Sequence, residues 1–429
     1  MTKKTDPAAR AALFQDRNFR WLMAGSAVSL LGDQFTLIAL PWLVLRLTGD
    51  TVALGTVLAL VGIPRAVFIL VGGAVVDRFS PQRVLMLTKY VNTVLLAVLA
   101  IGVWQAALTL PVIYALSLAL GISSAFSIPS GTSILPHALP PAQLAAANGV
   151  MMGLRQLSMF LGPLAAGVLI ALFGDGSGGL QDAAGVAVAF GLDAFSFALS
   201  AWTLSRVVTR PLPKDVVRHA PIWASVAGGL KHVWGDAQLR TCYLYWAAVA
   251  VLVLGPLHIA LPVLAESTPG LGASALGLML GAHGAGTLLG MVASGLRPGM
   301  RIGTLGTSIL LADIAIGLLF VPMGGITAAW QGGLLMVLVG ALGGFMQVAV
   351  FTWVQKRVPP AMIGRAMSLF MFIFMGLVPV ASAAAGWLLR VVTLPQLFAG
   401  SGLLLVAAAV LAWVGTPIRR VSDAVADPA

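Results

Sequence analysis

Asp33 lies well inside the first long apolar run of the sequence, which opens at Trp21. On a helix that spacing is about 18 Å, which reaches the middle of a bilayer. A carboxylate at that depth costs on the order of 3 kcal/mol to insert, so it should face protein or water. Ser26, Ser29, Asp33 and Thr36 follow at intervals of 3, 4 and 3, giving one polar stripe on an otherwise apolar helix. Such a group can bind a proton or a cationic substrate, or it can pair with a buried cation. Arg155, within the fifth apolar run on a stripe with Asn148, Ser158 and Gly162, is a candidate partner. A carboxylate held beside an arginine stays ionised and carries protons poorly near neutral pH, so the two roles compete.

Other interior polar residues offer related chemistry. Arg65, beside Pro64 in the second run, suits an acid or an anionic substrate, or else snorkels to the interface. Asp193 heads a stripe with Ser196, Ser200 and Thr203, and Asp313 sits within the ninth run. The second half is poorer in charge and offers His258, His283 and Gln347. A histidine can relay protons near physiological pH or simply be hydrogen-bonded. Gly162 and Pro163, with Gly376 and Pro379, occupy corresponding places in the fifth and eleventh runs, where they bend helices or let them approach closely. Met367, Met371, Met375, Phe370 and Phe374 form either an adaptable apolar wall or ordinary packing.

A different kind of site is the turn Gly72 to Arg83, GGAVVDRFSPQR, in which Gly73, Asp77, Arg78 and Arg83 join two apolar runs. A carboxylate and guanidiniums there can bridge helix ends in one conformation and release them in another, or they can be ordinary basic flanking of a turn. Asp77 would sit favourably at the N-terminus of a neighbouring helix.

The elements that must position these residues follow from composition. The chain has 429 residues, of which 59% are hydrophobic and 9% charged, whereas globular domains carry roughly a quarter charged residues. It reads as a membrane protein with twelve apolar runs between residues 21 and 415, each about 20 residues long. The first run is too long for a cleaved signal, so it is expected to remain as a span. The net charge of +11 is a topology signal. One set of loops collects 21 lysines and arginines and the other 2, which places both termini in the cytoplasm and argues against nucleic acid. The single cysteine, Cys242, excludes an internal disulfide. No GxxxxGK[ST], HExxH or other metal-spaced cluster occurs, so neither ATP nor a metal or other cofactor is expected, nor an enzyme activity.

The polar interval from Arg206 to Arg240 divides the spans six and six. The expected organisation is a bundle over 1–207, a linker over 208–240 with an interfacial helix at Pro221 to Trp234, and a bundle with a short tail over 241–429. The halves repeat. DRNFR at Asp16 meets DAQLR at Asp236, IALP at Ile38 meets IALP at Ile259, and ALG at Ala53 meets ALG at Ala275. Gly121, Phe126 and Pro140 correspond to Gly340, Phe345 and Pro359 at one common offset. Parallel repeats of this kind build transporters with a site between halves near mid-membrane.

With twelve spans, a central linker and the Gly73, Asp77, Arg78, Arg83 turn, the chain resembles the major facilitator superfamily, whose loop signature is G-x-x-x-D-R-x-x-x-R. RNFRWLMAGSAVSLLGDQFTLIALPW, GIPR at Gly62 to Arg65 and LDAFSF at Leu192 to Phe197 look like its macrolide-efflux branch of drug:proton antiporters, which includes siderophore exporters. The resemblance implies an all-α fold of two pseudo-symmetric six-helix bundles. It also implies a gate in which Asp77 meets span eleven, and structural roles for Asp193 and Asp313, because every third span lies outside the cavity wall.

The function expected is export of an amphiphilic small molecule, drug or metabolite, in exchange for protons by alternating access. Asp33, Arg155, Arg65, Gln347 and His258 would serve substrate or coupling; Gly73, Asp77, Arg78 and Arg83 the gate; Gly162, Pro163, Gly376 and Pro379 flexing. Export of a siderophore or natural product, movement of a lysolipid, or a non-transporting sensor or scaffold are the alternatives. The expected setting is a monomer in a bacterial inner membrane, with a small-molecule substrate and the lipid bilayer as its partners.

Overall fold

The computed structural model describes residues 12–176, 178–210, 230–231, 233–297, 299–359 and 362–422. Among them are twelve helices long and apolar enough to cross a membrane. They are α1 (Arg17–Thr48), α2 (Thr51–Phe79), α3 (Pro81–Trp104), α4 (Leu110–Ala138), α5 (Pro141–Phe173), α6 (Ala184–Ser205), α7 (Ala237–Ser267), α8 (Gly272–Leu296), α9 (Leu305–Phe320), α10 (Ala329–Arg357), α11 (Ile363–Leu388) and α12 (Leu394–Gly415). Of the interfacial helix expected at Pro221 to Trp234, ten of the fourteen residues lie outside the described residues, and the other four, Leu230, Lys231, Val233 and Trp234, are helical.

Local chemistry sets the helix ends. Asp16 and Asp236, equivalent in the sequence repeat, both act as N-caps. Asp16 accepts from the Phe19 amide at 3.0 Å, and Asp236 accepts from the Gln238 and Leu239 amides, satisfying donors that a helix start leaves open. α1 stops at Gly49, whose φ of 60° is the left-handed conformation glycine adopts cheaply. Between α2 and α3 only Ser80 intervenes, at φ 82°. The charged turn is therefore tighter than the sequence suggests: Asp77 and Arg78 end α2, and Arg83 begins α3.

The chain divides into two compact units, Met1–Gly49 with Ile63–Arg218, and Asp50–Gly62 with His219–Ala429. In the first unit α1 packs against both α5 and α6. Its Gly25 and Gly32 lie against α6, where an added Cβ would strike Thr203 or Ser196, and its Gln34 side chain fills the space beside Gly162 of α5. At one end Phe19 and Leu13 are fully buried among Ile134, Leu135 and Ala147. At the other, Trp42 donates Nε1–H to the Asp175 carbonyl at 2.7 Å.

In the second unit α8 and α10 cross closely through Gly286, Gly290, Gly340 and Gly344, each facing backbone of the other helix. α7 and α11 are both interrupted by a π turn, at Ala250–Leu254 and Ile373–Leu377. The Ser382 hydroxyl donates to the Gly255 carbonyl at 3.0 Å just beyond them. Thr51 to Gly62 packs here too: Thr51 Oγ1 donates to the Gly386 carbonyl at 2.7 Å, and Asp50 pairs with Arg390 at 3.0 Å.

Candidate functional site

In the first unit five charged residues occupy the interior stretches of the spans. Asp33 lies at the midpoint of α1, and Arg65 is the middle residue of α2. Arg155 and Asp193 lie close to the midpoints of α5 and α6, and Lys89 stands a third of the way along α3. Four of them form an electrostatic cluster. Asp33 lies in the field of Lys89 and Arg155, and Lys89 in that of Asp33 and Asp193.

Packing against α1 anchors two members. Asp193, 1% exposed, accepts from Thr36 and from Ser196 Oγ at 3.1 Å. The Lys89 ammonium, 9% exposed, lies 3.4 Å from Ser29 Oγ and 5.4 Å above the Phe197 ring. Gly32 makes this possible, because its missing side chain leaves the room that Ser196 and Asp193 occupy. The polar stripe of α1 thus divides its work: Ser29 faces α3, Thr36 faces α6, and Asp33 lies between them in sequence.

Asp33 makes no hydrogen bond or ion pair with any described residue. Its side chain is exposed. The direct ion pair with Arg155 considered from sequence does not form. Arg155 acts on Asp33 across a gap and is itself exposed. Chemically, one ammonium in the field of two carboxylates offsets part of their mutual repulsion.

The sequence reading missed Lys89, which it counted among the loop charges. The signal was available: Lys89 and Asn92 share one face of the run VLMLTKYVNTVLLAVLA, and both are buried. Arg65 stands apart. Its Nε is sealed from solvent without a hydrogen-bond partner.

The remaining candidates are dispersed. In the second unit Asp313 accepts the Tyr245 hydroxyl at 2.8 Å, and both are buried. His283 sits beside Thr287, whose hydroxyl donates to the His283 carbonyl at 2.8 Å. His258 and Gln347 are exposed on α7 and α10. Phe370 is buried in an aromatic cluster with Tyr243, Trp246, Phe351 and Phe374, so it packs, whereas Met371 is 39% exposed. Gly162, Pro163, Gly376 and Pro379 are all buried. Gly376 lies inside the π turn of α11, and Pro379 fills the space beside Gly62.

At the turn between α2 and α3, Arg78 and Arg83 are exposed, and the surroundings of Gly73 and of the Asp77 side chain lie outside what is described. Outside the spans, Asp236 accepts from Arg357 Nε at 2.9 Å. Burial alone would raise its carboxyl, but the Arg357 guanidinium and the two backbone amides outweigh it and hold it below the usual carboxylate range.

Comparison with known proteins places this arrangement. Residues 22–383 match the family model described as Major Facilitator Superfamily. The chain is 26% identical over 242 residues to the multidrug efflux pump Tap of Mycobacterium tuberculosis, covering 55% of this chain and 54% of Tap. It therefore spans about half the length of that relative. It is 26% identical over 371 residues to the enterobactin exporter EntS of Salmonella typhimurium, covering 84% and 81%. Among solved structures it is similar to the nucleoside transporter NupG, with a TM-score of 0.72 at 14% identity over 92% of this chain and 98% of that one.

Proposed function

Because the chain belongs to the Major Facilitator Superfamily and is a multi-pass membrane protein, we propose that it is a secondary transporter that exports an amphiphilic small molecule in exchange for protons. Likeness to a multidrug efflux pump and to a siderophore exporter supports efflux as the direction. The energy source is the proton gradient, and the protein works by alternating access as a monomer in a bacterial inner membrane with both termini cytoplasmic. The basic loops support that orientation.

The observation that carries the reading is Asp33, a carboxylate at the centre of a spanning helix without a direct partner, in the field of Lys89 and Arg155. An ionisable residue at that depth of a spanning helix points to an ion or substrate pathway. Asp33 takes up and releases the coupling proton, Lys89 and Arg155 stabilise its ionised form, and Arg78, Arg83 and Asp77 hold one conformation closed. Gly162, Pro163, Gly376 and Pro379 let the helices flex during the cycle. A drug and a siderophore-like metabolite are both compatible substrates, and the longer match to the enterobactin exporter favours the second.

Efflux of a dye panel from cells, with and without a proton uncoupler, tests the reading. Asp33→Asn should leave the protein in the membrane and abolish uncoupler-sensitive efflux. Full uncoupler-sensitive efflux by that variant would refute the coupling role, and dye-independent behaviour of the wild type would favour a sensor or scaffold.

A further inference from the structure

The charges at mid-span in the first unit do not balance. Asp33 and Asp193 supply two negative charges, while Lys89, Arg155 and Arg65 supply three positive ones. Lys89 and Arg155 are matched by the acids whose fields they share. Arg65 is the remainder: no carboxylate of the described residues acts on it, and it makes no hydrogen bond or ion pair with them. Asp77, on the same helix, is about 18 Å away along the axis. A half-buried guanidinium whose Nε is sealed without a partner carries a desolvation cost, part of which is recovered when an anion arrives.

The geometry of the side chain says where that anion would sit. Nε is sealed, whereas the two terminal nitrogens are not among the sealed atoms, so the fork is closed at its base and open at its tip. A guanidinium fork matches a carboxylate or phosphate in bidentate fashion. Phe68, one turn further along the same helix face, is 40% exposed and offers apolar surface beside the charge.

We propose that Arg65 is an oxyanion subsite, so that the molecules this protein prefers are amphiphiles bearing a carboxylate or similar acidic oxygen group. The inference rests on the transport reading and narrows its substrate class.

A matched pair of probes tests it with the full chain in nanodiscs: 11-(dansylamino)undecanoic acid and its methyl ester, with empty nanodiscs as the blank. The wild type should bind the acid about tenfold or more tightly than the ester, the discrimination a charge-assisted hydrogen bond supplies. Arg65→Gln should bring the acid to the ester's affinity and leave the ester unchanged, and Arg65→Lys should keep part of the preference. Equal binding of the two probes by the wild type, no binding of the acid, or a preference that survives Arg65→Gln overturns the proposal. The wild-type comparison decides even if a variant fails to fold. If an acid preference dependent on Arg65 persists while no dye is moved in cells, the transport reading fails and the subsite stands. If efflux is proton-driven but the acid is not preferred, the subsite alone falls.

Discussion

Tyr245 on α7 gives its hydroxyl to the Asp313 carboxylate on α9 at 2.8 Å, and neither side chain has more than a small fraction of its surface exposed. Tyr245→Phe removes the donor and leaves a buried acid unsatisfied, which should cost about 1–3 kcal/mol. The melting temperature of detergent-solubilised protein would report the loss. Combining it with Asp313→Leu should be milder than Tyr245→Phe alone, because the orphaned acceptor is gone. An additive or worse double variant would show that the bond is not what stabilises this contact.

Lys89 sets a second expectation. Replacing it with Met leaves Asp33 and Asp193 facing each other's field with no ammonium between them. Lys89→Met should reduce the amount of folded protein in membranes, and adding Asp193→Asn should restore it by removing one of the two like charges. Immunoblots of membrane fractions distinguish rescue from none.

Gly32 gives a packing prediction. A leucine there would drive into Ser196 and Asp193, so Gly32→Leu should destabilise by roughly 1–3 kcal/mol or prevent folding. Gly149 on α5 meets nothing within 4 Å. Gly149→Ala should be neutral or stabilising by up to about 1 kcal/mol, from helix propensity alone. Thermal melts of the two variants side by side make the comparison.

The Asp236–Arg357 contact carries a pH dependence. The folded carboxyl lies below its ordinary value, so its contribution is complete above the unfolded value of about 3.9 and fades as pH falls through the folded one. The wild type should exceed Asp236→Asn in stability by up to about 1 kcal/mol between pH 5 and 7, the range of a partly exposed ion pair, since asparagine keeps the cap but loses the charge that faces Arg357. That margin should shrink only below about pH 4. A margin that disappeared near pH 6 would assign the effect to another group.

At the turn, Asp77→Asn should leave the protein inserted and slow its transport cycle, read as a lower initial efflux rate at unchanged abundance. Unchanged efflux would reduce the cluster to ordinary flanking charge.

How far the sequence carries can be traced through these residues. The twelve helices were legible because an apolar run of bilayer length leaves few alternatives, and the caps at Asp16 and Asp236 can be read from residue type. Asp33, Arg65 and Arg155 declared themselves because charge at that depth is rare. Their relationships did not. Whether Asp33 touches Arg155 depends on helix rotation and on which glycines let α1 approach α5 and α6, and neither is fixed by spacing along one helix. Lys89 was hidden by its position near a basic turn, where a turn or two of helix decides between a loop and a buried span.

The π turn in α7 accounts for a shift in the register of the sequence repeat. The step from Ile38 to its counterpart Ile259 is longer by a single position than the step from Asp16 to its counterpart Asp236. Ala250–Leu254 falls between those two landmarks, and a π turn is what a helix forms when it absorbs one surplus residue without breaking. The second copy therefore carries one more residue in this stretch than the first, and holds it as a local overlap of the coil. Everything downstream in that span, His258 included, is turned by roughly 100° from the orientation an uninterrupted copy would give it. Two helices equivalent in the sequence repeat thereby present different side chains.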